Sequence, residues 1–370
     1  MRAIISGGGT GGHIFPAVAI ANCIKARYQD AEILFVGAEG KMEMQKVPQA
    51  GYKIIGLKIA GFQRKKLWKN ISLPYKMLAS RMKAKKVIKD FKPDIVVGVG
   101  GYASWATLKQ AASLNIPTLL QEQNSFAGMS NKQLSTKAKT ICVAYDNMQR
   151  FFDADKIVKT GNPIRKNISS IQENMHLHKA KAYSTFSLAE GKKTVLVIGG
   201  SLGARTINTA IENNLDFFID NDIQLLWQTG KFYYNDILAR TKDKLATTQN
   251  IHIHEFIFDM EQAYSVADVV ISRAGALSIS ELCCVGKPTI LIPSPNVAED
   301  HQTKNAMALV EKNAAIMVKD SQANEKLLLE LKNLLADDEK QTTLGKNILS
   351  LAIFNADELI VNEIEKIVKK

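Results

Sequence analysis

Gly7-Gly8-Gly9-Thr10-Gly11-Gly12-His13 follows an apolar run, Arg2 to Ser6, and leads into a second apolar stretch, Phe15 to about Tyr28. A strand that enters a glycine turn and leaves it as a helix is the opening of a βα unit. Glycines at such a turn permit positive φ and let the backbone approach a ligand closely. The helix start adds free N–H groups and partial positive charge, which suit a phosphate or a developing anion. His13 closes the turn. A turn that only cradles a dinucleotide needs no titratable side chain there, whereas a transferase or hydrolase can use one. Gly7 to Gly12 also fits G-x-G-x-x-G, so a nicotinamide-dependent oxidoreductase is one alternative. Its acid after the second strand would be Glu39, which comes late, in a Gly-Ala-Glu-Gly loop.

The same alternation of short β-branched runs and amphipathic stretches continues along the chain, the pattern of βα units on parallel sheets. Strands are expected at Arg2–Ser6, Glu32–Val36, Ile95–Val97, Thr118–Gln121, Thr140–Ala144 and Ile157–Thr160. A second set is expected at Thr194–Ile198, Leu225–Gln228, Ile251–Ile253, Val269–Ser272, Thr289–Ile292 and Ala315–Val318. The second set opens as the first does, with Thr194–Ile198 running into Gly199-Gly200-Ser201-Leu202-Gly203-Ala204. The expectation is an α/β chain of two doubly wound parallel-sheet domains, residues 1–163 and 164–350. Their ligand sites lie at the carboxyl ends of the strands, in a central cleft. Residues 351–370 carry Ile360, Val361, Ile364 and Ile367 at helical spacing, a closing helix expected to pack back on the first domain.

Composition sets the outer limits. The chain has 370 residues and a hydrophobic content of 46%, enough for folded cores. Cys23, Cys142, Cys283 and Cys284 form no C-x-x-C pair and read as reduced thiols of a cytoplasmic protein. The opening Met1-Arg2-Ala3-Ile4-Ile5-Ser6 is too short for a secretory leader, and no apolar run approaches the ~20 residues needed to span a bilayer. The charge is uneven: residues 1–165 hold 26 Lys and Arg against 10 Asp and Glu, the remainder 22 against 26. Eleven of the cations fall between Arg64 and Lys92, with Asp90 the only acid. Across the overlapping segment Ile59 to Leu78 lie Phe62, Leu67, Trp68, Ile71 and Leu78. Apolar and aromatic residues beside Lys65, Lys66 and Lys69 are the composition of an interfacial membrane surface; an amphipathic helix with a solvated basic face has it too. No nucleic-acid-binding signature appears.

Other motifs occupy predicted strand ends. Gly98-Val99-Gly100-Gly101-Tyr102 is a second glycine turn, with Tyr102 either a site residue or a packing residue. Gln121-Glu122-Gln123-Asn124 offers hydroxyl and amide recognition, or a solvated loop. Arg165, after Gly161-Asn162-Pro163-Ile164, can clamp a diphosphate or make a surface ion pair. Ser201 and the amides that follow can hold phosphate without the lysine of a P-loop. Glu281 can accept two ribose hydroxyls or face solvent. Asp300 reads as the N-cap of a helix starting His301-Gln302. Asp153-Ala154-Asp155 has a D-x-D form but reads as a surface loop; no metal site is expected.

In order, these segments resemble glycosyltransferase family 28, the lipid I N-acetylglucosaminyltransferases of peptidoglycan synthesis. The marks are Gly8-Gly9-Thr10-Gly11-Gly12-His13, Gly100-Gly101-Tyr102, Glu122-Gln123-Asn124, Gly161-Asn162-Pro163-Ile164-Arg165, Gly199 to Ala204, Gly275-Ala276-Leu277 through Glu281, and His301-Gln302 with Asn305. The resemblance covers nearly the whole chain. It implies a GT-B fold of two Rossmann-like domains and inverting transfer of GlcNAc from UDP-GlcNAc to the C4 hydroxyl of lipid I, with no cofactor or catalytic metal. It places UDP on the second domain: ribose at Glu281, uracil at the backbone of Ile257, diphosphate at Ser201 with Arg165 near. Asn124, Ala276, Leu277 and Gln302 face the sugar, and Thr10, Gly11 and Gly12 are donor contacts as well. The acceptor diphosphate falls to Gly9, Thr10, Gly11, Gly12, His13, Gly100, Gly101 and Tyr102. Catalytic candidates are His13, as base or acceptor clamp, Tyr102 and Gln302. The patch Phe62, Lys65, Lys66, Leu67, Trp68 and Lys69 implies docking to the anionic cytoplasmic membrane face, and cell-wall and division proteins are implied partners. Leu202 departs from the family, which often has a polar residue there. Another GT-B UDP-sugar enzyme, an epimerase or a glycolipid or macrolide transferase, remains the nearest alternative.

Overall fold

The computed structural model describes residues 1–59 and 73–369. The patch residues Phe62, Lys65, Lys66, Leu67, Trp68 and Lys69 lie outside that range. Two compact units form: Met1–Ile164 with Asn355–Lys370, and Arg165–Phe354.

The first unit is built on β1 (Arg2–Ser6), β2 (Glu32–Ala38), β3 (Lys53–Leu57), β4 (Ile95–Gly98), β5 (Thr118–Glu122), β6 (Thr140–Val143) and β7 (Ile157–Lys159). Their order is β3-β2-β1-β4-β5-β6-β7, and every pairing is parallel. Parallel sheets are covered on both faces, so their strands are apolar throughout rather than alternating. β1 shows how: Ile4 enters one core cluster with Val96 and Leu120, while Ala3 and Ile5 enter another with Val97 and Leu119. The second face is closed by the helix Gly11–Arg27 and the terminal helix Ala356–Val368, whose Ile360, Val361 and Ile364 are fully buried in it. Arg27 ties the two helices together through Asn362 and Glu365.

The second unit carries β8 (Thr194–Ile198), β9 (Gln224–Gln228), β10 (Ile251–His254), β11 (Val269–Ser272), β12 (Thr289–Leu291) and β13 (Ile316–Met317), all parallel in the order β10-β9-β8-β11-β12-β13. In both sheets the order reverses beside the first strand, at β1/β4 and at β8/β11. Loops leaving the carboxyl ends of those strands flank a topological switch point, where open α/β sheets bind ligands.

Twelve of these thirteen strands fall where the sequence predicts, with ends moved by a residue or two. β3 does not. Lys53-Ile54-Ile55-Gly56-Leu57 is an edge strand interrupted by glycine, and the glycine answers to a neighbour: a Cβ on Gly56 would lie 2.5 Å from Glu39 Cγ. Nothing local in the sequence records that contact.

The four cysteines are free and buried, and burial pushes the Cys283 and Cys284 thiols up to about 12. Among the described residues no helix is long and apolar enough to cross a membrane. His252 and His254 on β10 are both held below the ordinary imidazole range, chiefly by burial. A base whose folded pKa is depressed takes up protons more readily when unfolded, so stability is complete above about pH 6.5 and is lost as pH falls toward the folded values. The urea midpoint is expected to drop between pH 7.5 and pH 5, and less so in a His252→Gln, His254→Gln variant. Equal drops in the two proteins would remove these histidines from the account.

Candidate functional site

In the first unit the loops after β1 and β4 meet. Thr10 is the extended residue before the helix Gly11–Arg27, and Gly101, at φ +88°, precedes the helix Tyr102–Ser113. A Cβ on Gly101 would lie 2.8 Å from the Gly8 carbonyl oxygen, so the two backbones touch where no side chain fits. Two helix N-termini thereby open beside one another, each with first-turn N–H groups lacking intrahelical partners. Tyr102 stands at the start of the second helix, 53% exposed.

His13 lies between these loops. Its Nδ1 is 2.9 Å from the Gly8 carbonyl oxygen. A carbonyl can only accept, so in the neutral ring Nδ1 carries the hydrogen and Nε2 keeps its lone pair. A Cβ on Gly100 would lie 2.8 Å from Nε2, so that nitrogen is turned toward the Gly100–Gly101 loop. Among the described residues it has no hydrogen-bond partner. The ring therefore presents an acceptor nitrogen to the two glycine loops.

One buried carboxylate at this loop went unread in the sequence. Glu43, 1% exposed, accepts the Gly9 N–H at Oε2 and the Ala38 N–H at Oε1, each at 2.9 Å. The acid the sequence reading weighed, Glu39, pairs with Lys83 at 3.0 Å instead. Glu43 is thus committed to backbone N–H groups, and Glu39 stands in a half-exposed ion pair away from the Gly9 N–H. A signal was present in hindsight: Gly8 and Gly37 both lack the side chain that would strike Glu43.

The polar run at the end of β5 is corrected in role. Gln121, Glu122 and Gln123 are buried and work inside the fold. Gln123 Nε2 donates to the Val99 carbonyl, Gln121 Nε2 to Asn162 Oδ1, and Asn162 Nδ2 to the Gln123 carbonyl. Glu122 accepts from the N–H groups of Asn124 and Gly128 and from Asn131 Nδ2. Of the four polar residues, only Asn124 is half-buried, and its Nδ2 lies 3.4 Å from Glu122 Oε1. Asp153-Ala154-Asp155 is a surface turn in which Asp153 pairs with Lys156 at 2.9 Å.

In the second unit the loop after β8 is seated on the loop after β9. Gly203, at φ +90°, has no room for a Cβ, which would lie 2.3 Å from the Thr229 carbonyl oxygen; the Lys231 N–H donates to the Ser201 carbonyl at 3.1 Å. Asn208 locks the pair, donating to the Thr229 carbonyl while accepting from the buried Trp227 Nε1. Ser201 and Leu202 are exposed on the crest, before the helix Arg205–Glu212.

Across the β8/β11 switch point, Gly275 caps the helix Ala276–Val285, with Ala276 and Leu277 in its first turn. Glu281 is one turn further along. Its side chain is 12% exposed, not solvent-facing, and it takes Arg165 in a two-pronged ion pair: Nε to Oε1 and Nη2 to Oε2, each 2.9 Å. The structure therefore joins the two residues that the sequence assigned to separate parts of a nucleotide. The buried Tyr264 hydroxyl approaches the same carboxylate at 3.5 Å, and burial pushes its phenol well above the ordinary range.

Three further positions are qualified. Ile257 is buried and its N–H already donates to Gln228 Oε1 at 2.9 Å, which leaves its carbonyl for a ligand. Beside it, Phe256 and Phe258 pack edge to face at 4.9 Å and remain exposed. Gln302, in the first turn of the helix His301–Val310, accepts the Ser294 N–H with Oε1, leaving its amide N–H groups to point elsewhere. Asp300 is no ordinary N-cap: its backbone is left-handed and its carboxylate accepts from the Thr303 hydroxyl, not from a backbone N–H.

Comparison with known proteins identifies the family. Residues 3–143 match the family model described as the glycosyltransferase family 28 N-terminal domain, and residues 194–360 match that of the C-terminal domain. The chain is 57% identical over 367 residues to a Cytophaga hutchinsonii protein, covering 99% of this chain and 97% of that one. It is 55% identical over 368 residues to one from Bacteroides thetaiotaomicron, covering 99% and 98%. Both relatives are named UDP-N-acetylglucosamine–N-acetylmuramyl-(pentapeptide) pyrophosphoryl-undecaprenol N-acetylglucosamine transferase. Among solved structures, Acinetobacter baumannii MurG superposes with a TM-score of 0.78 at 28% identity, over 99% of each chain. A UDP-GlcNAc 2-epimerase from Neisseria meningitidis superposes at 0.69 with 15% identity, over 99% of this chain and 100% of that one, a likeness of fold alone.

Proposed function

The chain belongs to glycosyltransferase family 28, and on that premise we propose that it transfers GlcNAc from UDP-GlcNAc to the C4 hydroxyl of undecaprenyl-diphosphate-MurNAc-pentapeptide, giving lipid II. The observation that carries this is the 57% identity, over nearly the full length of both chains, to a relative named for that transfer.

The donor belongs on the second unit. Glu281 takes the ribose hydroxyls, the Ile257 carbonyl takes the uracil N3–H, and Ser201 with the amides opening Arg205–Glu212 takes the diphosphate. Ala276, Leu277 and Gln302 offer groups to the sugar. The acceptor diphosphate belongs on the first unit, at the paired glycine loops with Tyr102 at their edge; Thr10, Gly11, Gly12 and Asn124 complete that unit's polar surface. Displacement at C1 with inversion requires removal of the C4 hydroxyl proton as the bond forms. His13 Nε2 is the group prepared to receive it. The diphosphate that leaves gathers negative charge, which helix amides and the Arg165 guanidinium stabilise. For this, Arg165 must leave Glu281. The exchange is matched on both sides, because ribose hydroxyls replace the donors that the largely buried Glu281 gives up and a diphosphate replaces the carboxylate that the half-exposed Arg165 gives up.

UDP release from UDP-GlcNAc and a lipid I analogue, run in EDTA, tests the proposal. Release that depends on the acceptor is expected. A folded protein that releases no UDP would overturn it.

Docking of the first unit to an anionic membrane surface is part of the reading. What supports it is the concentration of cations in residues 1–165 and the helix Leu73–Phe91. There Leu78 and Met82, one turn apart, stand 56% and 67% exposed beside the exposed Lys85 and Lys89. Each lysine at such a surface contributes about 1 kcal/mol, so Lys85→Glu with Lys89→Glu is expected to weaken binding to phosphatidylglycerol vesicles by about tenfold or more. Unchanged sedimentation with vesicles would return this helix to a solvated face.

A further inference from the structure

We propose that Glu43 is a positioning residue for the transfer, acting through the Gly8–Gly9 peptide to hold His13 in the tautomer that leaves Nε2 unprotonated. The proposal deepens the reading of His13 given above and rests on it.

Three groups form one chain. The Glu43 carboxylate accepts the Gly9 N–H at 2.9 Å, and the carbonyl of that same peptide, Gly8 C=O, accepts His13 Nδ1–H at 2.9 Å. An N–H bonded to a carboxylate leaves its peptide more polarised, and the carbonyl becomes a stronger acceptor. The peptide thus stands between acid and imidazole, a carboxylate–peptide–histidine relay. Which imidazole nitrogen carries the proton is set by the partner of the other nitrogen.

Steric detail shows how tightly the acid is held. A Cβ on Gly8 would lie 2.1 Å from Glu43 Oε1, and one on Gly37 would lie 2.6 Å from its Cγ. Two glycines on separate strand ends therefore make room for one buried carboxylate. Its second oxygen is held by the Ala38 N–H at 2.9 Å, so the side chain bridges the end of β2 to the glycine loop after β1. Glutamine at this position would keep the shape and break the chemistry. It offers one acceptor oxygen and one NH2 to two N–H donors, so either Gly9 or Ala38 loses its acceptor.

The test is long-range 1H–15N correlation on the full chain with 15N-labelled histidine, together with steady-state kinetics. In the wild-type protein the neutral His13 ring is expected to carry its hydrogen on Nδ1. Glu43→Gln is expected to move part of the population to Nε2–H and to lower kcat by about 10- to 100-fold with KM for UDP-GlcNAc unchanged. A purely structural role would shift the melting temperature and both KM values but not the tautomer. Nε2–H in the wild-type protein overturns the proposal, as does a Glu43→Gln variant with wild-type tautomer and kcat. A wild-type spectrum showing Nε2–H overturns the relay even if the variant does not fold. Wild-type protein with Nδ1–H but no GlcNAc transfer would strike the functional reading and leave the relay standing; transfer with Nε2–H would strike the relay alone.

Discussion

Replacing His13 by alanine is expected to lower kcat for GlcNAc transfer by about 10²–10⁴-fold, the range for removing a general base, while UDP binding stays close to that of the unaltered protein. The separation follows from where the residue sits. His13 belongs to the glycine loop of the first unit, its Nδ1 fixed on Gly8 and its Nε2 facing Gly100. The nucleotide contacts assigned above lie on the second unit, from Ser201 to Glu281. His13→Gln separates two roles for the ring. Glutamine can still donate to a phosphate oxygen but cannot accept and carry off a proton at neutral pH. A variant that retains most of its kcat but has a raised KM for lipid I would make His13 an acceptor clamp; a collapse of kcat would make it the base. Loss of UDP affinity, measured by calorimetry, would place His13 in the nucleotide site and overturn the assignment of ligands to units.

Glu281→Ala is expected to raise KM for UDP-GlcNAc by roughly 10²–10⁴-fold, since a charged acceptor contributes about 1.5–3 kcal/mol per hydrogen bond and two ribose hydroxyls are at stake. The same substitution strands Arg165, whose side chain is 44% exposed and can turn to water or to a phosphate. Little stability should therefore be lost. Arg165→Ala is expected to behave differently. Removing it frees Glu281 for the ribose, so donor affinity should change little, while the leaving diphosphate loses a cation and kcat falls. If instead Arg165→Ala and Glu281→Ala raise KM equally and their effects do not add, the ion pair itself is the donor-binding element. A 2′-deoxyuridine donor gives an independent reading: against it, Glu281→Ala should lose much less.

The parts of this account that could be read in the sequence are those whose cause is local. Glycine turns after β1, β4 and β8 declare themselves because a strand, a run of glycines and an amphipathic helix are consecutive in the chain. The parallel sheets follow from apolar runs with no polar alternation. What was hidden depends on residues far apart. Glu43 sits in Lys41-Met42-Glu43-Met44, a stretch that resembles any solvated helix start, and only the fold brings its carboxylate to Gly9 and Ala38. Arg165 and Glu281 were each candidates in the sequence, with an ion pair the alternative for Arg165, but 116 positions separate them and their pairing is a product of packing. Gln121, Glu122 and Gln123 mislead in the opposite direction. A polar run at a strand end looks like a binding surface, yet three of the four side chains are consumed in holding β5 to its neighbours. Ile257 shows the same limit at one atom, because its N–H is taken by Gln228 from the adjacent strand.

The most direct test of the central claim is analysis of the lipid product after incubation with UDP-GlcNAc and a lipid I analogue. The account predicts an acceptor heavier by one N-acetylhexosamine residue, β-linked to the C4 oxygen of the muramyl sugar by its anomeric proton coupling, with one UDP formed per product. Recovery of unchanged acceptor alongside a C2 epimer of the donor sugar would contradict it.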